Sequence, residues 1–403
     1  MRPPRGSGLR FQRLRLENWK NFTRVDIPLE SRVFLAGPNA AGKSNLLDAL
    51  RFLHDLVRPG GGLAEAAGAR HGIGKLRCLA ARQSSDVAIA AQIGTAEEPG
   101  LWEYELHLSE GERRRAVITR ERAARGGEDL WQRPDADDEC DPERLTQTYL
   151  EQINVNREVR EIADLFRSIR YLHPAPQLVR DPDRYAPRRD DPYGGDFLER
   201  VAQAPQNIRT ARLHRILEVL QAAMPQLQEL EFYRDEVRGT PHLRGKYRHW
   251  RPQGAWQNED QFSDGTLRLL GILWAALEDS GPLLVEEPEV GLHAGVVALI
   301  PKMLAAMLHR TGRQVLLTTH AEALLRDEGI ALNEVLVLIP EAEGTAVRAA
   351  DSLRQVADLL DSGVGLTDGT APDAGSPEEK QMPLFHARQE ETEDASPADA
   401  PLA

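Results

Sequence analysis

The chain has 403 residues, room for one large domain or two, and a formal net charge of −13. That charge excludes a surface coated in nucleic acid, though not one local basic face. Its two cysteines, Cys78 and Cys140, lie far apart with no histidine at ligand spacing, which excludes a disulfide framework or a zinc site and fits a reducing, cytoplasmic compartment.

The N-terminal stretch MRPPRGSG lacks the apolar core of a signal peptide, and no apolar stretch is long enough to cross a bilayer. No membrane partner is expected. Leu9 to Glu17 alternates like a strand, and Val25–Ile27 and Val33–Ala36 read as two more. GPNAAGKS follows from Gly37 to Ser44, the P-loop pattern G-x-x-x-x-G-K-[ST] between a strand and a helix. In that pattern Gly37, Pro38, Asn39, Ala40, Ala41 and Gly42 wrap backbone N–H groups around phosphates, with Asn45 continuing into the helix. Lys43 reaches the β- and γ-phosphates, and Ser44 offers its hydroxyl to Mg²⁺. The pattern therefore implies ATP and Mg²⁺ as ligands. Leu46, Leu47, Leu50, Leu53 and Leu56 give the helix a core face, and Arg58-Pro59-Gly60 stops it. Gly60-Gly61-Gly62 and the small residues beyond read as a mobile loop.

Val87–Ile93, Trp102–Leu108 and Ala116–Arg120 are strand candidates, the first two joined as a hairpin by Glu98-Pro99-Gly100. Arg122 to Asp141 is charged and reads as a loop. Helical patterns follow at Leu145–Ile153 and Val159–Ile169, then an irregular proline-rich stretch from Pro174 to Gly195, then helices around Phe197–Ala204 and Ala211–Ala223. The stretch LRGKYRHWRPQGAW, Leu243 to Trp256, is the one basic, aromatic patch. Arg244, Lys246, Arg248 and Arg251 suit phosphates, and Tyr247, Trp250 or Trp256 suit stacking on bases, which leaves DNA or RNA open as a partner. The alternation of Lys246 and Arg248 with Tyr247 and His249 favours a plainer reading, an exposed hairpin with its aromatics packed inward and its cations solvated.

Ser263 sits as an N-cap before the apolar run Leu267, Leu270, Ile272, Leu273 and Leu277, so that Asp264-Gly265 presents backbone N–H groups at a helix start, a ready anion site. Leu283-Leu284-Val285 fits a strand buried on both faces, and Glu286 and Glu287 stand at its carboxyl end, where open α/β sheets put their ligands. Ala294–His309 reads as a helix, Gln314–Thr318 as a buried strand ending at Thr319-His320, and Ala321–Glu328 as a helix. Two strands, Val335–Ile339 and Thr345–Arg348, and a helix at Leu353–Leu360 close the fold. After Ser362 the acidic composition implies a disordered tail, in which Met382-Pro383-Leu384-Phe385 reads as a short docking motif.

The order Gly37–Ser44, Ser263-Asp264-Gly265, LLVEEPE, Gly291-Leu292-His293 and TTH, with ENWKNF at Glu17–Phe22 ahead of the P-loop, resembles ABC-type ATPases of the RecF, SMC and OLD-like group. The resemblance implies an α/β P-loop NTPase with an ABC-type head. Its mixed central sheet would carry an antiparallel β-subdomain and an inserted, mainly helical lid. On that frame residues 1–120 form the N-terminal lobe, 121–228 the insertion, 229–362 the C-terminal lobe and 363–403 the tail. It gives Glu287 the role of general base, His320 that of a switch contacting the γ-phosphate, and Glu286 the place where the family usually has an aspartate in the Mg²⁺ shell. The extra methylene at Glu286 implies slow turnover. Gln83 stands in the region of a Mg²⁺-sensing glutamine, with a surface glutamine as the plain alternative. Gly291-Leu292-His293 matches the loop that communicates across the dimer. Two anion-binding helix starts imply a homodimer or larger homo-oligomer sharing ATP between the P-loop of one subunit and Ser263-Asp264-Gly265 of the other. Three functions compete: an ATPase that gates a separate effector (nuclease or toxin) in a prokaryotic anti-phage or toxin-type system, a RecF-like DNA-repair factor, and a transporter's nucleotide-binding subunit. Prolines between Lys43 and Ser263 rule out a long coiled coil, and the span after His320 lacks a TOPRIM nuclease domain, so the first is favoured.

Overall fold

The computed structural model describes residues 8–81, 86–154, 157–180, 190–250, 255–278 and 281–352. Fifteen strands fall into three sheets among these residues. The first sheet is built from β1 (Arg10–Trp19), β2 (Phe22–Pro28), β4 (Val87–Gly94), β5 (Trp102–Glu110), β6 (Ala116–Arg125) and β7 (Glu128–Arg133), antiparallel in the order β2-β1-β4-β5-β6-β7. A central sheet combines β3 (Arg32–Ala36), β8 (Arg170–Leu172), β12 (Leu283–Glu286), β13 (Val315–Thr319), β14 (Val335–Glu341) and β15 (Gly344–Ala349) in the order β15-β14-β3-β13-β12-β8. All its neighbours are parallel except the β14–β15 hairpin. The third and smallest sheet is the meander β9 (Leu227–Arg234), β10 (Pro241–Tyr247) and β11 (Ala255–Asn258).

The central sheet separates two apolar cores, and the alternation of its side chains shows why its strands read as unbroken hydrophobic runs. On β3, Val33 and Leu35 face one core while Phe34 and Ala36 face the other. Leu284 opposes Leu283 and Val285 on β12 in the same way, and Leu316 opposes Val315 and Leu317 on β13. The first core lies under the antiparallel sheet and takes in α1 (Lys43–Val57) and the helix Arg160–Arg167. Helices Gln206–Leu220, Asp264–Ala276 and Ile300–Thr311 cover the second. Each fully buried Leu or Phe contributes about 2 kcal/mol.

Four expectations from the sequence need correction. The small residues after Gly62 do not form a loop: Leu63–Gly68 is a helix, because Leu63, Ala66 and Ala67 are buried. Arg122–Asp141 is likewise not a loop. It completes β6, adds β7 and ends in the helix Ala136–Cys140, because its charges find partners. Arg133, fully buried, donates to Asp138 (2.8 and 2.9 Å) and Glu121 (3.0 Å). Leu145–Ile153 is not an α-helix; a 3₁₀ turn covers Pro142–Thr146, and Thr148 N and Leu63 N donate to the Glu151 carboxylate instead. Ala294–His309 breaks into Ala294–Val297 and Ile300–Thr311, with Pro301 in the first turn of the second helix. Leu353–Leu360 and the acidic tail lie outside the described residues. Among the described residues no helix is long and apolar enough to cross a membrane.

Candidate functional site

Three neighbouring parallel strands deliver the site. β13 pairs with β3 on one side and β12 on the other, in register Thr319 with Ala36 and Glu286 with Thr318. The P-loop, the Glu286-Glu287 pair and His320 therefore leave the sheet side by side at its carboxyl edge.

The P-loop is held in its turn by left-handed backbone. Gly42 has φ 99° and Ala40 φ 63°. A Cβ on Gly42 would also lie 2.1 Å from Asn21 Nδ2. That close approach comes from a latch the sequence reading saw only as part of ENWKNF. Asn21 Nδ2 donates to Ala41 O (3.0 Å) and Thr345 Oγ1 (2.8 Å), Asn45 Nδ2 donates to Asn21 Oδ1 (2.8 Å), and Trp19 Nε1 donates to Asn45 O (2.9 Å). Lys43 is 5% exposed, and its ammonium donates to Gly37 O (2.8 Å) and Pro38 O (2.9 Å). Burial lowers its pKa, partly opposed by the fields of Glu287, Glu289 and Glu286. A buried ammonium beside a ring of carboxylates and a backbone loop fits the phosphates of a nucleotide.

Ser44 follows on α1, with its hydroxyl beside the Glu286 carboxylate. Burial would raise the Glu286 carboxyl, but the neighbouring polar groups of His173, Ser44 and Tyr171 outweigh it and leave the pKa below the ordinary value. The hydroxyl and the carboxylate are hard oxygen donors of the kind Mg²⁺ takes alongside phosphate oxygens and water. Among the described residues no group of three or more His, Cys, Asp or Glu could hold a metal by itself, so the nucleotide would complete the shell. Gln83 lies outside the described residues.

Glu287, next along, has φ 41°, and its N–H donates to Thr318 Oγ1 at 3.1 Å. His320 Nδ1 lies 3.7 Å from Glu287 Oε1 and 3.5 Å from Glu289 Oε1. Glu289 went unassigned in the sequence reading, although it completes the EEPE string. It is 5% exposed and accepts from Thr319 Oγ1 (2.7 Å) and His320 N (3.0 Å), which fixes the histidine at the strand end. Arg268 was missed as well. It is buried, no partner is found for its Nε and Nη1, and burial lowers its pKa against the pull of Asp264, Glu287 and Glu289.

Ser263 is the N-cap of the helix Asp264–Ala276, its Oγ accepting from Thr266 N at 3.2 Å. Asp264 pairs with Arg180 at 2.6 Å, and a Cβ on Gly265 would strike Leu292, so the signature packs on Gly291-Leu292-His293. Among the described residues no hydrogen bond or ion pair joins Ser263-Asp264-Gly265 to the P-loop of the same chain. In the basic patch Arg244 pairs with Glu231 (3.0 Å) and Lys246 with Glu229 (2.6 Å) across the β9–β10 register, but Trp250 and Trp256 stay exposed rather than packing inward. Arg251 lies outside the described residues.

A sequence family described as "AAA domain, putative AbiEii toxin, Type IV TA system" matches residues 32–326. No curated protein matches the chain. Among solved structures, an Smc head domain from Pyrococcus furiosus, with an extended coiled coil and bound to the C-terminal domain of ScpA, aligns at TM-score 0.52 and 13% identity. The alignment covers 88% of this chain and 99% of that one. An Smc head bound to the C-terminal winged-helix domain of ScpA aligns at TM-score 0.50 and 14% identity, over 84% of this chain and 96% of that one. These likenesses establish the fold as an SMC-head type of P-loop NTPase.

Proposed function

The chain belongs to this AAA-domain family, and from that premise we propose that it binds and hydrolyses ATP and uses the nucleotide as a dimerisation switch. The observation that carries the proposal is the meeting of Lys43, Ser44, Glu286, Glu287 and His320 at the carboxyl ends of β3, β12 and β13. Lys43 exchanges its two carbonyl partners for β- and γ-phosphate oxygens, and the backbone N–H groups of Gly37 to Ser44 cradle the rest. Ser44 and Glu286 would hold Mg²⁺, which would supply charge neutralisation at the phosphates. Glu287 takes the proton of the attacking water, and His320 donates toward the γ-phosphate. Ser263-Asp264-Gly265, bonded away from its own P-loop, meets the nucleotide of a second copy. ATP then joins two chains, and hydrolysis releases them.

We take the switch to gate a separate effector protein, a nuclease or toxin, in a prokaryotic defence system of the toxin type. The description of the matched family supports this reading, and the ion pairs of Arg244 and Lys246 weigh against the alternative of a nucleic-acid face on the hairpin. Phosphate release measured on wild type and Glu287→Gln tests the enzyme. Wild type is expected to release phosphate, slowly, and the variant at least about 100-fold less while still binding ATP. Equal release by both would remove Glu287 from the reaction.

A further inference from the structure

Glu286 stands where related ATPases usually have an aspartate, and β8 shows how the longer side chain is held. β8 pairs in parallel with β12, Leu172 level with Val285, so the next residue, His173, comes beside Glu286. His173 Nδ1 lies 3.2 Å from Glu286 Oε2. The Tyr171 side chain lies by the same carboxylate, and the Arg51 guanidinium sits 4.1 Å over the Tyr171 ring. A glutamate has one more rotatable bond than an aspartate, and a loose carboxylate loses affinity for a metal through the entropy of ordering it. Two polar side chains set against one carboxylate restrict its rotamer and leave its lone pairs for the metal and its water.

We propose that His173 and Tyr171 are the positioning residues of the metal site, holding Glu286 from behind so that it serves the divalent ion as an aspartate would. The inference rests on the ATPase reading of the site. Neither residue touches the nucleotide in this account. Their effect is therefore confined to metal affinity, and it requires the length of Glu286. With Glu286→Asp the carboxylate retracts by about 1.5 Å, one carbon–carbon bond, and the contact with His173 is lost.

The test is Mn²⁺ binding, followed by electron paramagnetic resonance in the presence of ADP, with ADP affinity in EDTA measured in parallel. His173→Ala and Tyr171→Phe, the latter keeping the ring under Arg51, are each expected to weaken Mn²⁺ about 10-fold or more. ADP affinity in EDTA stays within twofold. In a Glu286→Asp background the same two changes are expected to cost less than twofold. Mn²⁺ affinity within twofold of wild type for both single variants overturns the inference, as does an equal loss in the Glu286→Asp background or a matching loss of ADP affinity. A wild type that binds neither ADP nor Mn²⁺–ADP overturns the ATPase reading itself, a result distinguishable from the others.

Discussion

Glu287 carries backbone strain just past the end of β12. Its left-handed backbone, φ 41°, costs a non-glycine residue about 1–3 kcal/mol and persists because β12 and the Thr318 hydroxyl hold it. Thermal unfolding should therefore separate two variants that both lose turnover. Glu287→Gly is expected to be more stable than wild type by up to about 1 kcal/mol, and Glu287→Gln to match it. A destabilised glycine variant would mean that the side chain, not the backbone, holds the turn. At this scale much of the site was legible. The P-loop string, the Glu286-Glu287 pair and Thr319-His320 are contiguous, and each sits at a strand end that hydrophobic runs announce. His173, Tyr171, Asn21 and Arg268 were not assigned, because what surrounds each comes from distant parts of the chain and no local spacing encodes it.

Among the elements, α1 is fixed at both ends: Gly42 and the Asn21 latch begin it, and Arg58 N–H bonding to His54 O ends it. Its one buried acid, Asp48, is held by Arg70 at 2.8 and 2.9 Å and by Lys20 at 2.6 Å. Burial would raise the Asp48 carboxyl, but the hydrogen bonds and charges of Arg70 and Lys20 outweigh it and the pKa lies below the ordinary value. A carboxyl lowered on folding contributes stability above its unfolded pKa and loses it as pH falls through the folded value. Urea unfolding should accordingly show Asp48→Asn less stable than wild type by about 2 kcal/mol at neutral pH, converging with it only below the usual aspartate range. A difference independent of pH would assign the loss to packing. In the central sheet β8 was not read as a strand, whereas β3, β12, β13 and β14 were legible as apolar runs. β7 was not, because half of its residues are charged, and the carboxylates of Glu121 and Asp138 with the carbonyls of Gln147 and Arg144 make burial of Arg133 tolerable.

At the scale of the whole molecule, two anion-binding features do not meet within one chain. The P-loop faces Glu286, Glu287 and His320, whereas Ser263 caps its own helix and Asp264 turns to Arg180. In the proposed switch, one nucleotide would meet both features by joining two copies. Size in solution tests it most directly: light scattering behind gel filtration on Glu287→Gln, with and without ATP and Mg²⁺, at a concentration where nucleotide binding is verified. The account predicts a shift from monomer to dimer or larger with ATP, reversed by Ser263→Arg. A variant that binds ATP and keeps one unchanged mass would contradict it.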